Sequence, residues 1–236
     1  MHGGVVDAIR EAGGEVYAVT SEPQALASRA QEDWALNFEC VGDPHQEIAD
    51  TARNRGWLDL HVQPVMEFLT RDTSWDVTHP KGFYQPGVLV LNNNGRVLYR
   101  WRSIPSRENA GGAARRPTAE YVWEKVRNTL ADVREDAPLD EKPAMDARRM
   151  FFPLFVAMLM AHGWFLRPKV FSYQGDGVNP MTRFPLVMTR LALFIALWLL
   201  GFAFAPKWTF VALLLYLPIA IRGVQKVYAT FANEVG

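Results

Sequence analysis

Apolar and polar residues are distributed differently in the two parts of this chain. In residues 1–133, short apolar runs and helical stripes are separated by glycine, proline and charged residues, a pattern typical of an α/β domain. Residues 148–236 are mostly apolar, with runs long enough for membrane helices. The charged, proline-containing stretch 134–147 lies between them. We therefore predict an α/β domain and a membrane-associated helical module, joined by a linker.

The periodicity of apolar residues predicts the element order of the first module. Helical spacing indicates helices, and short apolar or alternating runs indicate strands. Ser21 and Gln24 form a capping-box pattern before the second helix, and Thr118 is the predicted cap of the last one. The predicted order is α-β-α-β-α, an unpatterned stretch, then β-β-α. The helices are predicted at residues 5–12, 22–34, 45–55 and 118–133, and the first two strands at residues 15–20 and 37–41. Residues 57–83 show no clear period.

Residues 84–102 are predicted to form a β-hairpin. The continuous apolar run 88–91 indicates a strand buried on both faces, and the Asn-Asn-Asn-Gly sequence at residues 92–95 suits a tight turn. Residues 96–102 alternate in character, which indicates a half-buried or edge strand. The arginines of this second strand are predicted to be solvated basic surface: Arg96, Arg100 and Arg102.

The net charge of zero conceals a division of charge between the two parts. Residues 1–147 contain 16 Lys and Arg against 23 Asp and Glu, a net charge of −7, whereas residues 148–236 contain 9 against 2, a net charge of +7. The basic part is also the apolar part. This combination favours a membrane surface over nucleic acid as the partner, so no nucleic-acid partner is predicted.

Three stretches of the first module, in this order, resemble the AhpC/TSA branch of the peroxiredoxin-like, thioredoxin-fold proteins (relatives of alkyl hydroperoxide reductase and thiol-specific antioxidant). The resemblance covers roughly residues 3–133. It implies a thioredoxin-like three-layer α/β domain and a thiol-dependent antioxidant oxidoreductase. In such an enzyme a cysteine thiolate attacks a peroxide or disulfide and is re-reduced by a partner thiol protein. The stretches that carry the resemblance are residues 15–24, 37–44 and 84–101.

The chain departs from this family at its start. The family's first strand leads into a loop that carries the reactive cysteine, whereas this sequence begins inside the helix that follows. We therefore expect a domain that lacks its first strand, and we assign no catalytic residue. The alternatives are an enzyme whose catalytic segment lies outside this chain, a non-catalytic membrane-tethered binding module, or a subunit of a membrane complex.

Few residues qualify as site candidates. Cys40, the chain's single cysteine, is a weak candidate, because it follows Glu39 in a predicted strand and fits a small buried apolar residue better than a reactive thiol. If a site exists, Gln85 and Pro86 are expected to line its groove. By the resemblance, Pro86 matches a proline that is often cis, and both isomers are left open.

The histidines and glycines predict no metal or cofactor site. No two histidines stand at the spacing of helical metal ligands, and His45 is expected to belong to a helix cap region. The Gly111-Gly112 pair lacks the lysine and strand-to-helix context of a phosphate-binding loop. The five histidines are His2, His45, His61, His79 and His162.

The second module predicts a membrane hairpin. Residues 184–205 contain a single charge, Arg190, and residues 208–226 form a second span if Arg222 snorkels to the interface. Residues 150–166 predict either a third span or an interfacial helix, and both remain open. Basic residues precede and follow the hairpin, with only Lys207 between its arms. The positive-inside rule then places the first module and the C-terminus in the cytoplasm.

Overall fold

The computed structural model describes residues 3–63, 81–106, 109, 116–131, 135–145, 151–159 and 184–231. These residues divide into two units. The first is a mixed unit of helices and strands, and the second contains the three C-terminal helices. The predicted combination of an α/β part with two apolar C-terminal helices is therefore confirmed at this level. Each unit is described on its own.

The first unit follows the predicted order of elements. The helices and strands predicted from periodicity are all present, with ends that shift by a few residues. One very short strand lies in the unpatterned stretch 57–83 and a second at its end, at residues 83–84. Residues 64–80 fall outside the described residues. The elements are α1 (Gly3–Glu11), β1 (Tyr17–Thr20), α2 (Gln24–Asp33), β2 (Glu39–Gly42), α3 (Glu47–Asn54), β3 (Val62–Gln63), β4 (Phe83–Tyr84), β5 (Gly87–Leu91), β6 (Val97–Arg102) and α4 (Ala119–Ala131).

Strands β1 and β2 are parallel, with Tyr17 opposite Glu39, and α2 connects them. The predicted capping box of α2 is wrong, because Pro23 precedes the helix and no side chain caps it. The Gln24 amide instead bonds to β2. Its Nε2 donates to Cys40 O at 2.9 Å, and its Oε1 accepts from the Gly42 N–H at 2.7 Å. A glycine is required there, since a Cβ at position 42 lies 2.4 Å from Gln24 N.

Strands β5 and β6 form the predicted antiparallel hairpin, with Val88 opposite Trp101. Asn92 Oδ1 closes the turn by accepting from the N–H groups of Asn94 at 3.0 Å and Arg96 at 2.9 Å. Gly95 has a φ of 78°, a left-handed conformation that glycine adopts without strain. The Asn-Gly turn chemistry was therefore read correctly from the sequence.

The burial of the two hairpin strands is the reverse of the prediction. Strand β6 is buried at Val97, Leu98, Tyr99 and Trp101, whereas the apolar residues of β5 are only half-buried. The physical reason is that β6 has chain on both of its edges. One edge pairs with β5, and the other accepts hydrogen bonds from residues 135–145.

Residues 135–145, part of the predicted linker, run beside β6 and belong to the first unit. The Ala137 N–H donates to Val97 O and the Asp140 N–H to Arg100 O, both at 2.9 Å. The Val97 N–H in turn donates to Asp136 Oδ1 at 2.8 Å. This stretch therefore completes the first unit, and its described residues do not act as a free connection.

Helix α4 covers β6 and begins at the predicted cap. Thr118 Oγ1 accepts the Tyr121 N–H at 3.2 Å, which confirms the cap. Val126 of α4 packs in a buried cluster with Leu98, Tyr99 and Trp101 of β6. Helix α1 packs beside α4, so the buried face of β6 is the centre of this unit's core.

The second unit consists of α5 (Phe152–Leu159), α6 (Phe184–Phe204) and α7 (Pro206–Phe231). Only Ala205 separates α6 from α7, and Pro206 begins α7 at a position where a missing N–H costs nothing. Helix α5 packs on both, with Phe155 contacting the Val187 and Leu191 cluster of α6 and the cluster that contains Val227 of α7. Residues 160–183 lie outside the described residues, so whether 150–166 crosses a bilayer stays open.

Candidate functional site

Gln85 and Pro86, the predicted groove residues, lie between β4 and β5. Gln85 is buried, Pro86 is half-buried, and the peptide bond between them is trans. The Gln85 N–H donates to His61 O at 2.9 Å, and Pro86 O accepts from the Ser103 N–H at 2.8 Å. The Tyr84 N–H donates to Ser21 Oγ at 3.3 Å. We call the side chains gathered here the β4 junction: Ser21, Asp43, Gln63, Tyr84 and Gln85.

Two buried glutamines are hydrogen-bonded to each other directly before Pro86, one of the two predicted groove residues. Gln85 Nε2 donates a short hydrogen bond to Gln63 Oε1, and both residues are more than nine-tenths buried. Within the described part of the chain, Gln85 Oε1 is buried without a hydrogen-bond partner. A buried amide with an unsatisfied oxygen is costly. The two amides, bonded to each other directly before Pro86, are neutral groups, which neither transfer protons nor attack a substrate.

Asp43 is the charged residue of the β4 junction, and its hydrogen bonds within the described residues are structural. Its carboxylate is buried and accepts the backbone N–H groups of the first turn of α3, from Glu47, Ile48 and Ala49, at 2.7, 3.0 and 3.3 Å. It also accepts a short hydrogen bond from the Tyr84 hydroxyl. Burial, and then this bond to Asp43, raise the pKa of Tyr84 far above its usual range. The Tyr84 hydroxyl therefore stays protonated and donates its hydrogen bond to Asp43.

Cys40 lies in β2, apart from the β4 junction. It is buried, and burial raises the pKa of its thiol. Both backbone polar groups of Cys40 bond to side chains of α2. The Cys40 N–H donates to Gln31 Oε1 at 2.8 Å, and Cys40 O accepts from Gln24. A thiol with a raised pKa has little thiolate at neutral pH. This environment is that of an unreactive cysteine.

The histidines form no metal site in the part of the chain that the structure covers, where no group of three or more His, Cys, Asp or Glu side chains converges. Burial, and then the charge of Arg102, lower the pKa of His61, while Asp59 acts in the opposite direction. His45 is exposed, and Asp43, two residues earlier, provides the cap that was expected near it.

The prediction that Arg96, Arg100 and Arg102 are solvated surface is wrong for all three. Arg96 is half-buried, and its Nη2 donates to Thr129 O at 3.2 Å. Arg100 Nη1 donates to Gly56 O at 2.7 Å and Trp57 O at 3.1 Å. Arg102 Nη1 donates to Asp59 O at 2.9 Å. The two guanidinium groups therefore bind the carbonyl groups that follow α3. They position a loop and are not available as an anion-binding row.

The sequence analysis missed the partners that assemble the β4 junction. Asp43 and Tyr84 are 41 residues apart, and Gln63 and Gln85 are 22 residues apart. The Asp-Pro pair directly before a predicted helix was a usable signal for the cap. Nothing local marks Gln63 or Tyr84, because their roles depend on long-range pairing of strands only two residues long.

Comparison of the chain with known protein families, curated proteins and solved structures finds no match. The thioredoxin-like assignment thus stays a prediction from the sequence.

Proposed function

We propose that this chain is a membrane-anchored module whose thioredoxin-like α/β domain serves as a non-catalytic binding platform at the cytoplasmic face. The observation that carries the proposal is the exposure of α6 and α7. Both are long and apolar enough to cross a membrane, and only 11% and 12% of their apolar windows are buried within the structure. A core helix of a soluble protein would be covered by other elements, whereas a lipid-facing helix is not.

The exposed residues of α6 and α7 are large and apolar. Leu197 is 69% exposed, Leu199 65% and Leu215 72%. Exposing so large a contiguous apolar surface to water is unfavourable, whereas exposing it to the bilayer interior is not. Trp208, at the start of α7, is 76% exposed and stands where an interfacial tryptophan is favoured. These features support insertion of the hairpin into lipid.

The binding role follows from the β4 junction. A thiol enzyme of the family that the sequence resembles needs an accessible, activated cysteine and an open groove. Here Cys40 is buried with a raised thiol pKa, and the buried Gln85 amide is hydrogen-bonded to Gln63. The α/β domain is therefore better suited to present a surface than to perform redox chemistry. The charge distribution of the sequence supports the cytoplasmic orientation.

Alkaline extraction of membranes from expressing cells tests the anchor. The full chain is expected to stay with the bilayer. The double variant Leu193→Arg/Leu197→Arg, at two exposed apolar positions near the middle of α6, is expected to be released or degraded, since each central arginine costs about 2.5–3.5 kcal/mol. Glu32→Arg, at an exposed position of α2, is the control. Release of the unaltered chain would exclude the anchor.

A peroxide and disulfide reduction assay tests the non-catalytic role. The purified full chain, supplied with a dithiol reductant, is expected to turn over neither substrate above the rate of the reductant alone. Cys40→Ser is expected to leave that background unchanged. Turnover that disappears in Cys40→Ser would overturn the binding-platform proposal.

One observation favours a second candidate, a thiol-dependent oxidoreductase. Among the described strands, β1 pairs only with β2, and β5 pairs only with β6. Within the described residues no strand pairs with the other edge of β1 or of β5, and the resemblance expects one more strand with a cysteine after it. The intact mass of the natively expressed protein distinguishes the candidates. A mass that requires an additional cysteine-containing segment supports the enzyme, and a mass equal to this chain's supports the platform.

A further inference from the structure

The seam between α6 and α7 gives a depth scale for the second unit. Gly201 lies against Thr209, since a Cβ at position 201 is 2.8 Å from Thr209 Oγ1. Further from the turn at Ala205, the ring of Trp198 contacts that of Tyr216, with centroids 5.5 Å apart. The two helices are therefore antiparallel, and along each of them the distance from the turn grows by about 1.5 Å per residue. We call the end of the hairpin away from the turn the open end.

Helix α5 descends along this scale. The Phe152 ring packs edge-on against Tyr228 of α7, with centroids 6.1 Å apart. Tyr228 lies 22 residues after the first residue of α7, which is about 33 Å from the turn. Ala157, five residues after Phe152, packs against the buried cluster of Val187 and Leu191 in α6, about 20–26 Å from the turn. Helix α5 therefore runs from the open end toward the turn, in the same direction as α6.

This direction is incompatible with a third span at residues 150–166. A span that directly precedes α6 would run opposite to α6, because consecutive crossings of a bilayer alternate in direction. Helices α5 and α6 instead both begin at the open end, where Phe184 is the first residue of α6. In a hairpin that spans the bilayer, the chain therefore enters the lipid at α5 and again at α6 from the same face.

The composition of α5 does not suit a helix that lies flat in the interface. All eight residues from Phe152 to Leu159 are apolar, whereas a helix that lies between lipid and water has a polar face. Leu154 is 41% exposed, and Phe151, directly before the helix, is 69% exposed. A helix that is apolar all round is stable when hydrocarbon or other apolar side chains surround it.

The charges on both sides of α5 fit entry and return at one face. Arg148 and Arg149 come directly before the apolar residues that lead into α5, and residues 160–183 contain three Lys and Arg against one Asp. No uncharged apolar run in residues 160–183 is long enough for a further crossing of the ~30 Å hydrocarbon layer. The positive-inside rule favours the cytoplasmic face for both groups of charges.

We propose that α5 is a re-entrant helix. It inserts steeply into the leaflet at the open end of the hairpin, and the chain returns to the face from which it entered. Its partner is the acyl-chain layer of that leaflet, which Leu154 contacts, with Phe151 at the edge of the layer. The inference rests on the proposed membrane anchor and adds a third lipid-contacting segment to it. The anchor then has three helices in one leaflet and two in the other.

Site-directed spin labelling of the full chain in phosphatidylcholine vesicles tests the depth of α5. Single cysteines in a Cys40→Ala background carry a nitroxide, whose depth is measured from its relative accessibility to oxygen and to a water-soluble nickel chelate. Leu154→Cys is expected to lie about 4 Å deeper than Phe151→Cys, since a helix rises 1.5 Å per residue. Exposed positions of α6 calibrate the depth scale: Leu186→Cys, Leu193→Cys and Leu197→Cys.

Maleimide labelling in sealed vesicles tests the return to one face. Thr182→Cys, two residues before α6, is expected to react from the same side as Glu32→Cys of the α/β domain. Lys207→Cys, at the turn of the hairpin, is expected to react from the opposite side.

Three results would overturn the re-entrant helix. Equal, shallow depths for Phe151→Cys and Leu154→Cys would show a helix that lies flat. Labelling of Thr182→Cys from the side opposite to the α/β domain would show a complete crossing. Exposure of Leu154→Cys to water, with Leu193→Cys and Leu197→Cys in the hydrocarbon, would place α5 outside the bilayer. Exposure of these two α6 positions to water would instead refute the membrane anchor, and the re-entrant helix with it.

Discussion

At the scale of single residues, two carboxylate side chains accept several hydrogen bonds each. Asp43 accepts three N–H groups of α3, and Asp140 accepts the hydroxyl groups of both Tyr99 and Tyr121, at 3.1 and 2.9 Å. Each carboxylate joins elements that are distant in the sequence. Their removal therefore affects more than one element at once.

Asp43→Ala is expected to destabilise the first unit. It removes the cap of α3 and leaves the Tyr84 hydroxyl without this acceptor, at a cost of about 1–3 kcal/mol. The apparent melting temperature of the full chain in detergent should fall by about 2–12 °C, as measured by circular dichroism. Tyr84→Phe removes only one of these bonds and should have the smaller effect. Equal melting curves for Asp43→Ala and the unaltered chain would contradict the assigned role.

Glu22→Gln is expected to stabilise the fold at neutral pH. Burial raises the pKa of the Glu22 carboxyl, although the Thr20 hydroxyl acts in the opposite direction. A group with a raised folded-state pKa favours folding fully below its unfolded pKa of about 4.3, and this contribution is lost as the pH rises through the folded-state value.

The melting temperature of Glu22→Gln should therefore exceed that of the unaltered chain at pH 7, and the two should converge below about pH 4. Scanning fluorimetry from pH 3.5 to 8 measures this difference. A variant that is less stable at pH 7 would show that the carboxylate is favourable in the fold.

At the scale of elements, the strand pairs are closed by side chains and by a distant segment. Gln24 and Gln31 bind the backbone groups of Cys40 and Gly42 that β1 does not use. Residues 135–145 do the same for β6. An edge whose groups are already bonded cannot recruit a further strand, which protects it from aggregation.

Gln24→Leu is expected to expose the outer edge of β2. The Gly42 N–H and Cys40 O lose their partner, so hydrogen–deuterium exchange of a peptide covering residues 38–43 should accelerate several-fold. Ser28→Ala is the matched control, because Ser28 Oγ accepts from the Gln24 amide at 3.0 Å, and the variant keeps the Gln24 side chain that bonds to β2. Equal exchange in the two variants would show that the glutamine does not protect the strand.

Gly201→Val is expected to separate α6 from α7. Its side chain would enter the space that Thr209 occupies, and overpacking of this kind costs about 1–3 kcal/mol. Ala203→Val adds the same kind of bulk at an exposed position of the same helix and should be tolerated. The apparent melting temperatures of both variants in detergent give the comparison, and equal values would place Gly201 outside the seam.

The sequence predicted elements well and their surroundings poorly. Periodicity predicted every helix and every longer strand that the structure describes, because those signals extend over four or more residues. It failed at β3 and β4, which have two residues each, and it assigned the buried strand of the hairpin to β5. That error arose because the second neighbour of β6 comes from residues 135–145, whose composition resembles a linker. The sequence predicted a site at Gln85 and Pro86. It did not predict the residues that contact Gln85 and Tyr84, because those contacts depend on long-range strand pairing.

At the scale of the whole molecule, the two parts of the chain suit different solvents. The acidic first part contains the strands, and the basic second part contains the apolar helices. Positive charges on both flanks of the hairpin and only Lys207 between its arms favour one orientation.

This orientation can be measured by cysteine labelling in a Cys40→Ala background. Lys207→Cys should be shielded from a membrane-impermeant maleimide in sealed vesicles whose cytoplasmic face is outward. Glu32→Cys, at an exposed position of α2, should react at once in the same vesicles. The reverse labelling pattern would place the α/β domain on the other side of the membrane.

The one-residue turn at Ala205 has a consequence for biosynthesis. Since α7 begins at Pro206 directly after α6, a hairpin that spans the bilayer carries only Lys207 as a charged group across it. Insertion then requires neither translocation of a loop nor passage of a folded domain. The two helices can enter the bilayer together as a preformed helical hairpin, after the α/β domain has left the ribosome.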